Sequence, residues 1–92
     1  MQQYELTLIF KSDLTEEQAD TVIDGFKLTV IHRQVWGKRL LSYPINKHKE
    51  GLYIFLVISL SPEKVEALDK SLKLREEIIR YLLVKAEKDI LQ

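Results

Sequence analysis

Cysteine is absent from the 92 residues, and with it go disulfide frameworks, thiolate metal sites and cysteine nucleophiles. That absence fits a reducing compartment. Glycine is scarce: the three, at 25, 37 and 51, stand apart, so no glycine-rich phosphate cradle can form. The longest apolar run, LYIFLVISL at 52–60, is far too short to span a bilayer as a helix. The opening MQQYELTLIF has no cationic leader and no cleavage site, so it does not read as a signal peptide. Net charge is lacking as well, with 14 Lys and Arg against 14 Asp and Glu. The expectation is a soluble, cytoplasmic protein with no membrane partner. The composition, 46% hydrophobic and 30% charged, suits one globular domain over 1–92 that needs no covalent staple.

The zero net charge conceals a segregation. Residues 1–24 carry −5, residues 25–49 carry +6 with no acid among them, and residues 50–92 carry −1. For a polyanionic partner, such a local patch matters more than the overall balance. The alternative is that the charges keep an exposed hairpin edge soluble. Charge alone does not choose between the two.

YELTLIF at 4–10 alternates, with Tyr4, Leu6, Leu8 and Phe10 on one side and Glu5, Thr7 and Ile9 on the other, which predicts a strand. Thr15 with Gln18 three residues on forms a capping box, and Glu16 and Glu17 suit the positive end of a helix. Ala19, Val22, Ile23 and Phe26 give that helix its apolar face, and Gly25 followed by β-branched residues ends it early. A long strand is predicted over about 28–43, bent or bulged at Gly37 and forced to a sheet edge by Pro44. NKHKEG reads as its loop and 52–60 as the next strand. One face of that strand is aliphatic (Leu52, Ile54, Leu56, Ile58, Leu60); the other carries Tyr53 and Phe55. Ser61 as N-cap with Pro62 in the first turn starts a second helix, striped by Val65, Leu68 and Leu72. EIIRYLLVKAE supplies a last strand, and residues 86–92 read as a C-terminal tail. The order βαββαβ predicts an α+β, ferredoxin-like fold: a four-stranded antiparallel sheet with both helices on one face.

Catalytic parts are thin. His32, expected on a strand, and His48, expected in a loop, have no Ser, Cys or carboxylate at an identifiable spacing. No metal-ligand spacing stands out. An acylphosphatase-like enzyme would need an anion-holding loop after the first strand, where FKSDLTEEQ places acids. No enzyme activity, catalytic residue, metal, cofactor or small-molecule substrate is therefore expected. A binding surface is better supplied, because Tyr53 and Phe55 on a helix-free face beside a basic hairpin resemble the stacking and phosphate contacts of RNA-binding sheets. The chain lacks the Lys/Arg-Gly-Phe-Gly-Phe type of third strand used by RNA-recognition motifs. An aromatic sheet face serves equally as a protein interface. From the residues alone the surface suits RNA, protein or both, and a homo-oligomeric regulatory or ligand-sensing domain on the same fold is the alternative.

The stretch VWGKRLLSYPINKHKEGLY resembles the signature hairpin of protein six of the bacterial small ribosomal subunit, Trp-Gly-Lys-Arg-x-Leu-Ala-Tyr-Pro-Ile-x-Lys…Gly-x-Tyr. Trp36, Gly37, Lys38, Arg39, Leu41, Tyr43, Pro44, Ile45, Lys47, Gly51 and Tyr53 fall in register with it. Tyr4 and Glu5, and LKLREEIIRYLLVK with Arg75 and Arg80, are similar to that family's first strand and its last helix–strand junction. The resemblance covers roughly 4–86 and implies the same fold. It also implies assembly on the central domain of small-subunit ribosomal RNA as a pair with the basic protein eighteen. Such a partner would supply charge that this neutral chain lacks. On that footing Lys38, Arg39, Lys47, Lys49, Arg75 and Arg80 are expected to bind RNA. Arg39 and Arg80 lead, since a guanidinium fork matches phosphate oxygens. Trp36, Tyr53 and Phe55 are expected at the protein partner. Three features depart from the family pattern: Gln2 and Gln3 replace cations, Ser42 replaces Ala, and the first helix is about two turns short without its usual Gly-Gly end.

Overall fold

The alternation in the first strand decides the layering. In this computed structural model, which describes residues 1–45 and 47–86, β1 (Gln2–Lys11) lies inside the sheet. It pairs antiparallel with β3 (His48–Leu60) on one side and β4 (Ile78–Lys85) on the other. β2 (Thr29–Ile45) pairs with β3 and closes the order β2-β3-β1-β4. Pro44 thus sits on an edge strand, where its missing N–H costs no central ladder bond.

The register sets Leu6 opposite Leu56 and Leu83, and Leu8 opposite Ile54 and Tyr81. These side chains, with Tyr4, Phe10, Leu52 and Ile58, form one apolar layer under α1 (Glu16–Gly25) and α2 (Val65–Leu74). Ala19, Val22 and Ile23 of α1 and Leu68 and Leu72 of α2 complete it. Each fully buried aliphatic side chain contributes about 1.5–3 kcal/mol relative to exposure. Burial is what fixes the sheet's inner face.

The capping box of α1 forms in both directions: Gln18 N–H donates to Thr15 Oγ1 at 3.1 Å, and Thr15 N–H donates to Gln18 Oε1 at 2.9 Å. α1 ends at Gly25, but the left-handed residue beyond it is Lys27, at φ 55°, with its N–H bonded to the Asp24 carbonyl. A side chain in that conformation is strained, and glycine relieves the strain. Lys27→Gly should stabilise the fold by about 0.5–1 kcal/mol, part of the relief being offset by a freer unfolded chain. Chemical denaturation midpoints check this. The short α1 also leaves the start of β2 uncovered, and Val30 is 40% exposed although it pairs with buried Ile58.

Two expectations need correction. Ser61 is extended, as an N-cap should be, but its side chain makes no cap bond; Oγ donates to Met1 Sδ at 3.2 Å. Pro62 opens a 3₁₀ turn, Pro62–Lys64, and α2 begins only at Val65. The loop NKHKEG is also much shorter than expected, because His48 already pairs with Ile45 and starts β3. Of the tail, Ala86 is buried with its N–H on the Gln3 carbonyl, while 87–92 lie outside the described residues.

Gly51, opposite Lys11 in the β1–β3 pair, has no room for a side chain. A Cβ at this position would run into Ile9 Cγ2 and press on the Phe10 carbonyl oxygen at 3.3 Å. Gly51→Ala should therefore cost about 1–2 kcal/mol by overpacking. A thermal melt of the variant that matches the wild type would show that Ile9 yields freely.

Candidate binding surface

The sheet face turned away from the helices carries Thr7 and Ile9 from β1, Tyr53, Phe55 and Val57 from β3, and Arg80, Leu82 and Val84 from β4. From β2 it receives His32, Gln34 and Arg39, which pair with Val57, Phe55 and Gly51. The sequence reading leaves Tyr53 and Phe55 bare on this face. The chain instead covers much of it by itself, using irregularities in β2.

The first of these is at Gly37. The register slips between Val35 and Gly37, making Trp36 an extra residue, and Gly37 has φ 85°, a conformation that suits glycine alone. The slip lays the Trp36 ring on Phe55, with centroids 5.6 Å apart and planes 7° from parallel. Trp36 remains 38% exposed, so the pair forms an aromatic ledge near the β2 edge. Beyond the bulge, pairing is regular: Lys38 stands opposite Leu52 and Arg39 opposite Gly51. The two cations therefore leave opposite faces of the hairpin, Lys38 on the helix side and Arg39 on the open side. Arg39 Nε donates to the Trp36 carbonyl at 3.2 Å, tying the guanidinium to the bulge.

The second irregularity is larger. Leu40 pairs with Glu50 and Ile45 with His48, so residues 41–44 stand against Lys49 alone. Pro44 cannot donate to a ladder, which suits a segment that leaves one. The surplus chain bows over the open face, and the Tyr43 side chain reaches from it towards the opposite edge strand. There Arg80 Nη1 donates to the Tyr43 hydroxyl at 2.9 Å. Beneath the arch lies a cleft of about 320 Å³, bounded by Thr7, Ile9, Tyr53 and Leu82 of the sheet and by Leu41 and Ile45 above. This cover explains why Ile9 is only 9% exposed on the side without helices. At the hairpin tip Lys47 is left-handed, with φ 69°.

Ion pairing sorts the cations. Arg33 is bound to Asp20 of α1 at 2.5 Å, and Arg75 to Glu77 at 3.2 Å, where its Nε and Nη2 each meet one carboxylate oxygen. Glu77 is held below the usual carboxylate range by its own backbone N–H, and further by Arg75 and Lys11. Among the described residues, Lys38, Arg39, Lys47, Lys49 and Arg80 have no carboxylate partner. Of the six residues expected at RNA, Arg75 alone has its charge balanced within the fold. The other perturbed groups lie on the helix side and are structural. Burial, then the Asp69 carboxylate at 2.5 Å, push the Tyr81 hydroxyl up to about 12, and Tyr81 with Lys73 holds Asp69 below its ordinary value. His32 and His48 lie apart on β2 and β3, and no group of three or more metal-ligating side chains occurs among the described residues.

Sequence reasoning singled out Trp36, Tyr53, Phe55, Arg39 and Arg80 but missed what joins them. Tyr43 was placed only as a motif residue, and nothing in the periodicity signals a contact between Tyr43 and Arg80 across the sheet. Pro44 was the available signal: a proline inside a strand pattern marks where pairing must stop.

A four-stranded antiparallel sheet with two helices on one face, and a bulged, cation-bearing hairpin folded over the other, defines a ferredoxin-like α+β domain. The family model for ribosomal protein S6 matches residues 3–85. The chain is 37% identical over 91 residues to the small ribosomal subunit protein bS6 of Synechococcus sp. (strain CC9902), covering 91% of this chain and 72% of the relative. It is 35% identical over 94 residues to that of Alkaliphilus oremlandii (strain OhILAs), covering 96% of this chain and all of the relative. The crystal structure of 30S ribosomal protein S6 from Thermotoga maritima superposes with a TM-score of 0.80 at 20% identity, over 92% of this chain and 87% of that one, which supports the fold. The chain belongs to the ribosomal protein S6 family, and so is a structural component of the small ribosomal subunit rather than an enzyme. No helix among the described residues is long and apolar enough to cross a membrane.

Proposed function

We propose that this protein binds small-subunit ribosomal RNA together with the basic protein eighteen, dividing the work between cations and rings. The observation that carries the reading is the sorting of charge. Arg33 and Arg75 are neutralised within the fold, whereas Lys38, Arg39, Lys47, Lys49 and Arg80, on the hairpin and on β4, have no acid partner among the described residues. Cations held without acid partners suit phosphate contacts. Because Lys38 and Arg39 leave opposite faces, the hairpin edge can meet RNA from both sides. Arg39 and Arg80 are the principal phosphate ligands, the lysines add diffuse attraction, and Arg75 contributes least.

The Trp36–Phe55 ledge, with Tyr53 beside it, receives the protein partner. Large rings of this kind, half-covered and rimmed by polar side chains, are typical interface anchors. The decisive experiment is assembly on a transcript of the central domain of a bacterial small-subunit ribosomal RNA, with and without protein eighteen. Binding should be weak for the chain alone and strong for the pair. A stable homodimer in light scattering, with no gain in RNA binding on adding protein eighteen, would favour a homo-oligomeric regulatory domain instead.

A further inference from the structure

β2 and β4 are the two outer strands of the sheet, separated by β3 and β1, yet Tyr43 of the first bonds Arg80 of the second. We propose that Tyr43 is a positioning residue for RNA binding: its hydroxyl, carried over the open face by the arch at 41–44, fixes the Arg80 guanidinium and joins it to the hairpin tip in one cationic surface. The inference rests on the RNA-binding reading above and adds a residue to which that reading assigns no role.

Three observations carry it. Arg80 is exposed and without a carboxylate among the described residues, so Tyr43 is what orients it. A single hydroxyl acceptor engages Nη1 and leaves the charge intact, whereas a carboxylate would neutralise it; the guanidinium keeps its other N–H groups for a phosphate. The arch also limits where the hairpin tip can lie. Lys47 is four residues from Tyr43, at most about 14 Å of chain, so the tip cations stay within that reach of the residue whose hydroxyl meets Arg80. Without the bond, Arg80 and the hairpin would be two separate weak patches at opposite edges of the sheet. An arginine pre-oriented in this way also loses less side-chain freedom on meeting phosphate.

Tyr43→Phe removes only the hydroxyl and keeps the ring on the arch. Affinity for the central-domain transcript, measured with protein eighteen present over a range of salt, should fall about three- to tenfold, the scale of one positioned hydrogen bond. The log–log salt slope should become shallower by up to about one, as for a lost phosphate contact. Arg80→Ala should have the same effect, and the double variant should be no worse than Arg80→Ala alone, because the two residues act as one unit. Thermal melts of all three should match the wild type, since both side chains are exposed. If Arg80→Ala weakens binding while Tyr43→Phe leaves affinity and slope unchanged, Arg80 acts unaided and the inference is overturned, with the RNA-binding reading intact. A double variant that loses the two effects additively overturns it too. If Arg39→Ala and Lys38→Ala are also silent, it is the RNA-binding reading that fails.

Discussion

Raising salt from about 50 to 200 mM should weaken binding of the ribosomal RNA by between two and three orders of magnitude, if the four unpaired cations at 38–49 and Arg80 all neutralise phosphates. Each phosphate contact releases condensed counterions, so five contacts give a log–log slope of about −4.5 over that range. The count is the structural content of this expectation. Lys38, Arg39, Lys47, Lys49 and Arg80 have no carboxylate partner among the described residues, whereas Arg33 and Arg75 already have acids at 2.5 and 3.2 Å. Removing Arg39 should lower the slope by about one, and removing Arg33 should leave it nearly unchanged. Arg33→Ala would show instead as a small stability loss, since an exposed ion pair contributes about 0–1 kcal/mol. The measurement is filter binding or calorimetry at four or more salt concentrations. A flat profile, or a slope that falls equally for Arg33 and Arg39, would mean that net charge rather than this sorting governs association.

The layering of the fold was legible because burial writes itself in period. Leu6 and Leu8 alternate with Glu5 and Thr7, and Ala19, Val22 and Ile23 recur at helical spacing, so the inner faces of β1, β3 and both helices could be named before their neighbours were known. Local bonding was legible at α1, where both halves of the capping box lie within four residues. At Ser61 the same kind of signal misled. The backbone adopts the extended conformation of a cap, but the side chain reaches Met1, which is 60 positions away, and a 3₁₀ turn precedes α2. A cap residue states where a helix can begin, and tertiary contacts decide whether its oxygen is used.

The candidate binding surface was legible as composition and illegible as geometry. The cationic third of the chain, the bulge at Gly37 and the edge position of β2 all followed from residue types. The arch did not. Three surplus residues in one strand of a hairpin leave no periodic trace, and neither does the hydrogen bond between positions 43 and 80 that spans the face they bow over. The stack of Trp36 on Phe55 has the same origin, since only the register slip before Gly37 brings an extra residue over the neighbouring strand. Where pairing is regular, the sequence predicts the neighbour; where it slips, the neighbour is set by the whole sheet.

The ledge formed by that stack should carry much of the partner affinity. Trp36→Ala should weaken association with protein eighteen by about 2–3 kcal/mol, the range of an aromatic hot spot. Three features single out this ring. It is large and only 38% exposed, it lies nearly parallel to Phe55, and Arg39 is bonded to its carbonyl, so the ledge is ordered before any partner arrives. An anchor already held in place loses little freedom on binding. Truncation should also lower fold stability by about 0.5–1.5 kcal/mol through the lost stack, so partner affinity must be read well below the melting temperature. Direct RNA affinity of the isolated variant should change little, because the cations remain on β2, β3 and β4. Calorimetry with protein eighteen and filter binding with the transcript alone separate the two effects. If Trp36→Ala still pairs normally with the partner but loses RNA, the ledge is a platform for a base, and the division of labour between rings and cations has to be reversed.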